Sequence, residues 1–263
     1  MVVNGQLEVV LATCNGERFL EPQLQSLWHQ QRRPDSLLVF DDRSNDGTLK
    51  ILKQWQQRHP NWIQLLPSAP QRLGPTAAFN LLLNTSTASY VALCDQDDVW
   101  HPDRLSTGLT QLKTAEKNNP QGSRKPLLLH SDAELIDASA NLLPQSLWQW
   151  HRVSRHPPAL WQLALRNQVT GCTILCNRPL LEQALPIPQA ALLHDWWLGL
   201  IACKNGGLLA CPERLLQHRR HERNASGPRR VPIRLQSLGD RCLQWRSLYS
   251  DSSTKQKSRP ERQ

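Results

Sequence analysis

The sequence of 263 residues predicts an α/β protein with a mostly parallel central sheet and helices on both of its faces. Short apolar runs typical of strands alternate with segments whose apolar residues recur at helical spacing. Two of the predicted strands end in acidic turns, at the edge where ligands of open α/β sheets bind. The apolar fraction of 39% and the charged fraction of 20% are ordinary for a globular protein.

The first half alternates regularly between the two element types, with turn residues at the boundaries. The predicted order is strand Leu7–Thr13, helix Arg18–Gln31, strand Ser36–Phe40, a helix from Leu49 through Trp55, strand Ile63–Leu66, a helix from Gly74 through Leu83, and strand Tyr90–Cys94. The second half is less regular. It contains predicted strands at Leu127–His130, around Thr170–Leu175 and around Leu208–Cys211, and a helix that runs from His194 to about Lys204.

The strand Tyr90–Cys94 is followed by three carboxylates within four positions, Asp95, Asp97 and Asp98. Like charges at this spacing raise one another's pKa, so the cluster costs stability unless a cation binds there. Carboxylate oxygens suit Mg²⁺ or Mn²⁺, which complete their coordination shell with water and substrate phosphate. A solvated acidic turn with a helix cap is the alternative interpretation, and these residues alone do not separate the two.

A second acidic turn, Asp41-Asp42, follows the strand Ser36–Phe40, and parallel strands bring both turns to one edge. The sequence has no G-x-G-x-x-G after its first strand and no G-x-x-x-x-G-K-[ST], so neither dinucleotide oxidoreduction nor P-loop hydrolysis is supported. A nucleotide still fits this edge if one acidic residue takes the base or ribose and a metal takes the diphosphate.

The net charge of +9 is confined to the C-terminal segment. Residues 1–213 carry 18 basic and 18 acidic residues, whereas residues 214–263 carry 13 and 4. The neutral body argues against nucleic-acid binding. Apolar residues from Val231 to Tyr249 form one stripe of a basic helix, which fits an anionic membrane surface through residues 228–250 or docking on its own domain.

Seven cysteines without a C-x-x-C pair, and no N-terminal signal segment, favour reduced thiols and a cytoplasmic location, peripheral at the inner face of the plasma membrane if the basic helix binds lipid. No apolar run reaches the length of about 18 residues that a spanning helix needs.

Three segments carry a family resemblance. They are Val9–Gly16, Phe40–Thr48 and Cys94–Leu105, the last reading Cys-Asp-Gln-Asp-Asp-Val-Trp-His-Pro-Asp-Arg-Leu. Together they resemble the family 2 glycosyltransferases, which have the GT-A fold, use nucleotide sugars and invert the anomeric centre. With the later Asp195-Trp196-Trp197, the order resembles the bacterial rhamnosyltransferase-like branch that builds surface polysaccharide. The resemblance covers most of residues 7–227.

The resemblance implies a GT-A domain over residues 1–227, with a nucleotide-sugar half at about 1–116 and an acceptor half at about 127–227, followed by the tail 228–263. It also implies a role for each matching residue. Ala12, Thr13, Asn15, Asp42, Asp95 and Asp97 contact the nucleotide; Asp97, Asp98 and His221 hold Mn²⁺ or Mg²⁺; Gly171, Arg220 and Trp196 contact the diphosphate or sugar; and Asp195 is the general base.

The function so implied is transfer of a sugar from a UDP- or dTDP-sugar, with dTDP-rhamnose as one candidate, to a saccharide or lipid-linked acceptor. Three alternatives remain open: a nucleotide-sugar-binding protein without turnover, a nucleic-acid-binding protein that uses the basic tail, and a nucleotidyltransferase. The last would normally carry a Gly-rich basic loop after its first strand. From local chemistry alone, Asp42 and Asp195 are also interpretable as helix caps, and 217–224 as a solvated basic loop.

Overall fold

A nine-stranded sheet forms the centre of the part of the chain that the computed structural model describes, residues 3–221 and 236–249. Its strands are β1 (Val3–Thr13), β2 (Ser36–Asp41), β3 (Ile63–Leu65), β4 (Ala88–Cys94), β5 (Val99–Trp100), β6 (Leu128–Ile136), β7 (Leu142–Ser146), β8 (Ile174–Asn177) and β9 (Leu208–Arg219). The spatial order is β3-β2-β1-β4-β8-β6-β9-β5, and β7 pairs with β6.

Helices cover both faces of this sheet. They are α1 (Glu17–Trp28), α2 (Thr48–Arg58), α3 (Pro75–Thr85), α4 (Arg104–Lys117), α5 (Leu147–His151), α6 (Leu160–Leu165), α7 (Arg178–Ala184), α8 (His194–Lys204) and α9 (Gln236–Ser247). Alternation along β1 separates two cores, because Val9 and Leu11 face α1, α2 and α4 while Val10 faces α3, α7 and α8. The predicted α/β class is confirmed.

The strand directions bring distant segments to one edge of the sheet. Strands β1 to β4 are parallel to their neighbours, and β6 pairs with β9 in parallel. Between these two groups β8 runs antiparallel to both β4 and β6. The carboxyl ends of β1, β2, β4, β6 and β9 therefore lie at the same edge as the start of β8.

The structure extends two of the predicted strands. Strand β6 continues past His130 to Ile136, and β9 continues past Cys211 to Arg219. Apolar periodicity does not predict these extensions, because they contain polar residues such as Ser131 and Gln217. These residues are in strand because β6 pairs with β9, and the pairing shifts register on both sides of Asp132. The basic segment that begins at Gln217 is therefore strand as far as Arg219, rather than a loop.

Helix α9 falls within the predicted basic tail and packs against the domain. Leu248 is buried just beyond its end, and the Gln244 side chain accepts a hydrogen bond from the backbone N–H of Leu192 (2.8 Å). Val231, Leu235 and the predicted boundary at residue 227 lie outside the described residues. None of the helices in the described ranges has the length and apolar character needed to cross a membrane. Membrane contact through 228–250 stays a prediction.

The chain segments that precede β6 and β9 lie in close contact at Gly207, and a substitution there tests that contact. A Cβ at Gly207 would lie 1.8 Å from the carbonyl oxygen of Pro126. We expect Gly207→Ala to lower the free energy of unfolding by at least about 3 kcal/mol, measured by urea denaturation. The matched control is Gly239→Ala in α9, where a Cβ meets no atom within 4 Å. The control should be neutral or stabilising by up to about 1 kcal/mol; equal losses for both variants would contradict the contact.

Candidate active site

The acidic turn between β4 and β5 is fixed by the end of β9. Asp98 is 0% exposed, and its Oδ1 accepts hydrogen bonds from His218 Nδ1 and from the backbone N–H of Arg219, both at 3.0 Å. Arg219 Nε donates to the backbone carbonyl of Asp97 (2.9 Å). Two residues past the end of β9, His221 Nε2 lies 2.7 Å from Asp97 Oδ2. Strand β9 therefore holds both carboxylates in place.

The electrostatics of this turn favour a cation. Burial, followed by the charges of Asp98 and Asp97, raises the pKa of Asp95 to about 8. Burial opposes ionisation of Asp98, but the facing His218 and its hydrogen bonds keep the pKa of Asp98 below its ordinary value. Within residues 3–221 and 236–249, Asp98 Oδ2 is buried and has no hydrogen-bond partner. An unpartnered carboxylate oxygen among three acidic side chains fits a hard divalent cation.

In the second acidic turn, after β2, the two aspartates have different hydrogen-bond partners. Asp41 accepts hydrogen bonds from Thr13 Oγ1 (2.8 Å) and from the backbone N–H of Ser44 (2.9 Å), which fixes the turn. Asp42 accepts from the backbone N–H groups of Leu73 (2.7 Å) and Gly74 (2.9 Å), at the start of α3. Asp42 therefore does not cap α2, the helix that follows it, but holds the residues at the start of α3.

The end of β1 joins the two acidic turns. The Gln96 side chain donates to the carbonyl of Cys14 (3.0 Å) and accepts from its N–H (2.8 Å). Asn15, at a φ of 54°, accepts through its side chain from the N–H of Asn45 (2.8 Å). Ala12 and Thr13 precede them, half-buried and buried respectively. The predicted nucleotide residues of the first half therefore lie at one edge of the sheet.

Asp195 lies in the first turn of α8, beside the start of β8. Its Oδ2 accepts from the backbone N–H of Gly171 (3.0 Å), and its Oδ1 from Asn167 Nδ2 (3.1 Å) and from the backbone N–H of Trp196 (2.6 Å). Burial raises the pKa of Asp195 to about 6, although these hydrogen bonds pull it down. The helix begins at His194 with Leu193 as its N-cap residue, so Asp195 is not the cap.

Trp196 and Arg220, two of the predicted diphosphate or sugar contacts, pack against other side chains or backbone of the domain. Trp196 is 6% exposed and its indole N–H donates to the carbonyl of Leu163 (2.6 Å), so it is a core residue and the prediction that it stacks on a sugar is wrong for this structure. Arg220 is half-buried, and its guanidinium stacks 4.0 Å from the ring centroid of Trp150. Its backbone N–H donates to the carbonyl of Ile136 (2.8 Å).

Two residues of the site were not assigned a role from the sequence. His218 contacts Asp98, and Cys172 Sγ lies 3.5 Å from His218 Nδ1. Cys172 sits in a short 3₁₀ turn before β8, and in the sequence it is only one of the seven thiols expected to be reduced. The feature of the sequence that could have pointed to His218 as a site residue is its position three residues before His221 in a basic segment.

Comparison with known proteins agrees with this geometry. The family model described as Glycosyl transferase family 2 matches residues 8–126. The chain is 24% identical over 221 residues to the dTDP-rhamnosyl transferase RfbG of Shigella flexneri, covering 82% of this chain and 73% of that protein. It is 34% identical over 101 residues to the putative glycosyltransferase EpsE of Bacillus subtilis (strain 168), covering 38% of this chain and 36% of that one.

Solved structures show the same fold. The S. aureus TarS structure in complex with UDP-GlcNAc superposes with a TM-score of 0.63 at 17% identity, covering 86% of this chain and 62% of that chain. The mannosyltransferase PcManGT from Pyrobaculum calidifontis, in complex with GDP-Man and Mn²⁺, gives 0.59 at 18%, covering 83% and 58%. This chain thus spans only about three fifths of each solved chain.

These findings define the class first: the chain carries a glycosyltransferase domain with the GT-A fold. Within that class, residues 8–126 match the family 2 glycosyltransferases, and the similarity to RfbG extends over 221 residues. The match lies on the half that contains both acidic turns, and Asp195, His218 and His221 lie beyond residue 126.

Mn²⁺ tests the acidic turn as a cation site. We expect Mn²⁺ to raise the thermal midpoint of the wild-type chain, because a ligand that binds only the native state at 100 times its dissociation constant stabilises it by about 2.7 kcal/mol. Asp98→Asn should lose most of this shift, whereas the exposed Asp103→Asn at the start of α4 should keep it. An equal shift in wild type and Asp98→Asn would place the cation elsewhere.

Proposed function

We propose that the chain transfers a sugar from a nucleoside-diphosphate donor to the hydroxyl group of a saccharide or lipid-linked acceptor, with inversion at the anomeric carbon. The observation that carries the proposal is the presence, at one sheet edge, of a half-buried and hydrogen-bonded carboxylate, Asp195, beside an acidic turn that suits a cation. The electrostatic interaction between Asp195 and Asp95, which adds to the raised pKa of Asp95, supports their proximity.

The donor would lie across the ends of β1, β2 and β4. Asp42, Ala12, Thr13 and Asn15 would bind the nucleoside, and Asp97, Asp98 and His221 would hold Mn²⁺ or Mg²⁺. The chemistry that such a cation supplies when bound is neutralisation of charge on the leaving nucleoside diphosphate. Arg220 would pair with the diphosphate after leaving its stacked position over Trp150. Gly171, whose backbone already contacts Asp195, would leave room for the sugar.

Asp195 would remove the proton from the acceptor hydroxyl as that oxygen attacks the anomeric carbon. A base for this step must lie on the side of the sugar opposite the leaving diphosphate. The hydrogen bonds from Gly171, Asn167 and Trp196 orient the carboxylate, and its burial makes it more basic than an exposed aspartate. This division of roles supports a single displacement, and hence inversion.

The donor proposals start from the named relatives. RfbG is named a dTDP-rhamnosyl transferase, and TarS was solved with UDP-GlcNAc, so dTDP-rhamnose and UDP-sugars are the first candidates for this chain. A role in surface polysaccharide synthesis is part of the same proposal.

Binding and hydrolysis of UDP-, dTDP- and GDP-sugars with Mn²⁺ and Mg²⁺ test the proposed roles. We expect one donor to bind in a metal-dependent manner to the wild type. Asp98→Ala should lose that binding, whereas Asp195→Asn should keep it within a few-fold and lose turnover by roughly 10²- to 10⁴-fold. Asp103→Asn is the matched control and should resemble the wild type.

Three outcomes of this panel would contradict the proposal. If no nucleotide sugar binds with either metal, the transferase proposal fails. If a donor binds but Asp195→Asn turns it over at the wild-type rate, Asp195 is not the base. Binding without any turnover in the wild type would favour the non-catalytic alternative.

The pH dependence follows from the raised pKa of Asp195, to about 6. The base acts only when deprotonated, so the rate of transfer should rise with pH through about pH 6 and level off above it. Rates should be measured from pH 5 to 8 with metal and donor saturating. The residual activity of Asp195→Asn should not show this rise with pH. A wild-type rate that is flat or falls between pH 5 and 8 would contradict the assignment of Asp195 as the base.

A further inference from the structure

Cys172, His218 and Asp98 face one another at the edge of the candidate active site. Cys172 Sγ lies 3.5 Å from His218 Nδ1, and Nδ1 lies 3.0 Å from Asp98 Oδ1. The ligand atoms of all three side chains lie within 4.8 Å of one another. Three different elements supply them: the turn before β8, strand β9 and the turn after β4. The chain therefore brings one sulfur, one nitrogen and one carboxylate together.

These separations match those of ligands around one tetrahedral zinc ion. Zn–S and Zn–N bonds of about 2.3 and 2.0 Å at a tetrahedral angle place sulfur and nitrogen about 3.5 Å apart, which is the separation between Cys172 and His218. The same geometry separates nitrogen from oxygen by about 3.3 Å, so the Asp98 carboxylate would shift by only about 0.3 Å.

The exposure of the three side chains fits a cation site that is open to solvent on one side. Asp98 and Cys172 are both fully buried, whereas 13% of the His218 side chain is exposed, which gives access from that direction. Asp98 Oδ2 is buried without a hydrogen-bond partner among the described residues. A buried, unpartnered carboxylate oxygen costs free energy that a cation would recover.

We propose that Asp98, Cys172 and His218 form a site for a borderline divalent cation, Zn²⁺ or Co²⁺, bound through a carboxylate, a thiolate and an imidazole. As the cation binds, the thiol proton and the proton that His218 Nδ1 donates to Asp98 both leave to solvent, which frees the sulfur and Nδ1 as ligands. Thiolate and imidazole ligands favour Zn²⁺ over Mg²⁺ and Mn²⁺, which prefer oxygen ligands. The inference rests on the proposed function in one respect, which is that Asp98 also belongs to the proposed donor-metal site. It adds Zn²⁺ and Co²⁺ to the cations, Mn²⁺ and Mg²⁺, proposed for that site.

Titration of the full chain with Co²⁺ alone tests this site without nucleotide. A cobalt–thiolate bond gives a charge-transfer absorption band in the near ultraviolet, and we expect this band to saturate at one equivalent in the wild type. Cys172→Ser should abolish the band and weaken Co²⁺ and Zn²⁺ binding by at least the roughly 10- to 100-fold that loss of an outer-shell partner costs. Cys176→Ser, a buried thiol in the neighbouring β8, is the matched control and should retain the band.

The inference is overturned if Co²⁺ binds without the charge-transfer band, if no Co²⁺ binds, or if the band survives in Cys172→Ser and in Cys172→Ala. Circular dichroism of each variant establishes that it is folded, and His218→Gln, which keeps the thiol but removes the imidazole, gives a second test if the Cys172 variants do not fold. His218→Gln should weaken Co²⁺ binding by a similar factor; unchanged affinity would overturn the inference.

The two proposals fail separately. Mn²⁺-dependent donor turnover without cobalt–thiolate absorption would refute the thiolate site and leave the proposed function standing. A thiolate band without binding of any nucleotide sugar would refute the proposed function and leave the site standing.

Discussion

The buried carboxylate of Asp98 is the constraint on which the candidate site depends. A buried charge costs several kcal/mol unless it is paired and hydrogen-bonded. In this chain the compensation comes from His218 and from the backbone of Arg219, at the far end of β9. The turn after β4 and the end of β9 are thereby held together. Strand β8, which pairs with β4 and β6, joins the two halves of the sheet, and the Asp98 contact fixes the edge that Asp195 and the acidic turns share.

The first half of the fold was predictable because its signals are local. Apolar runs, helical spacing and turn residues place β1, β2 and β4 within a few residues of their observed bounds, and parallel pairing then brings Asp42 and Asp98 to the same edge. The second half was less predictable because β6 and β9 contain polar residues whose burial depends on partners far along the chain. His218 and Cys172 belong to this class: only the register of β9 against β6 and the turn before β8 place them beside Asp98.

Burial has opposite consequences for the acidic residues of the edge. Asp98 keeps a low pKa because cationic and hydrogen-bonding partners face it, whereas Asp195 and Asp95 have raised pKa values because burial outweighs their partners. One edge of the sheet thus carries a carboxylate suited to holding a cation and another suited to accepting a proton. The buried Trp196 also has its polar group paired, because its indole N–H donates to the carbonyl of Leu163.

A crystal structure of the chain with Mn²⁺ and either UDP or dTDP would test the central claim most directly. The claim is that the acidic turn held by β9 is where a donor's diphosphate and its cation bind. We predict that the cation contacts Asp98 and that the diphosphate lies between the acidic turn and Gly171, with the nucleoside near Asp42. A cation bound away from Asp98, or a nucleotide bound at the opposite edge of the sheet beside Trp28 and Trp62, would contradict the claim.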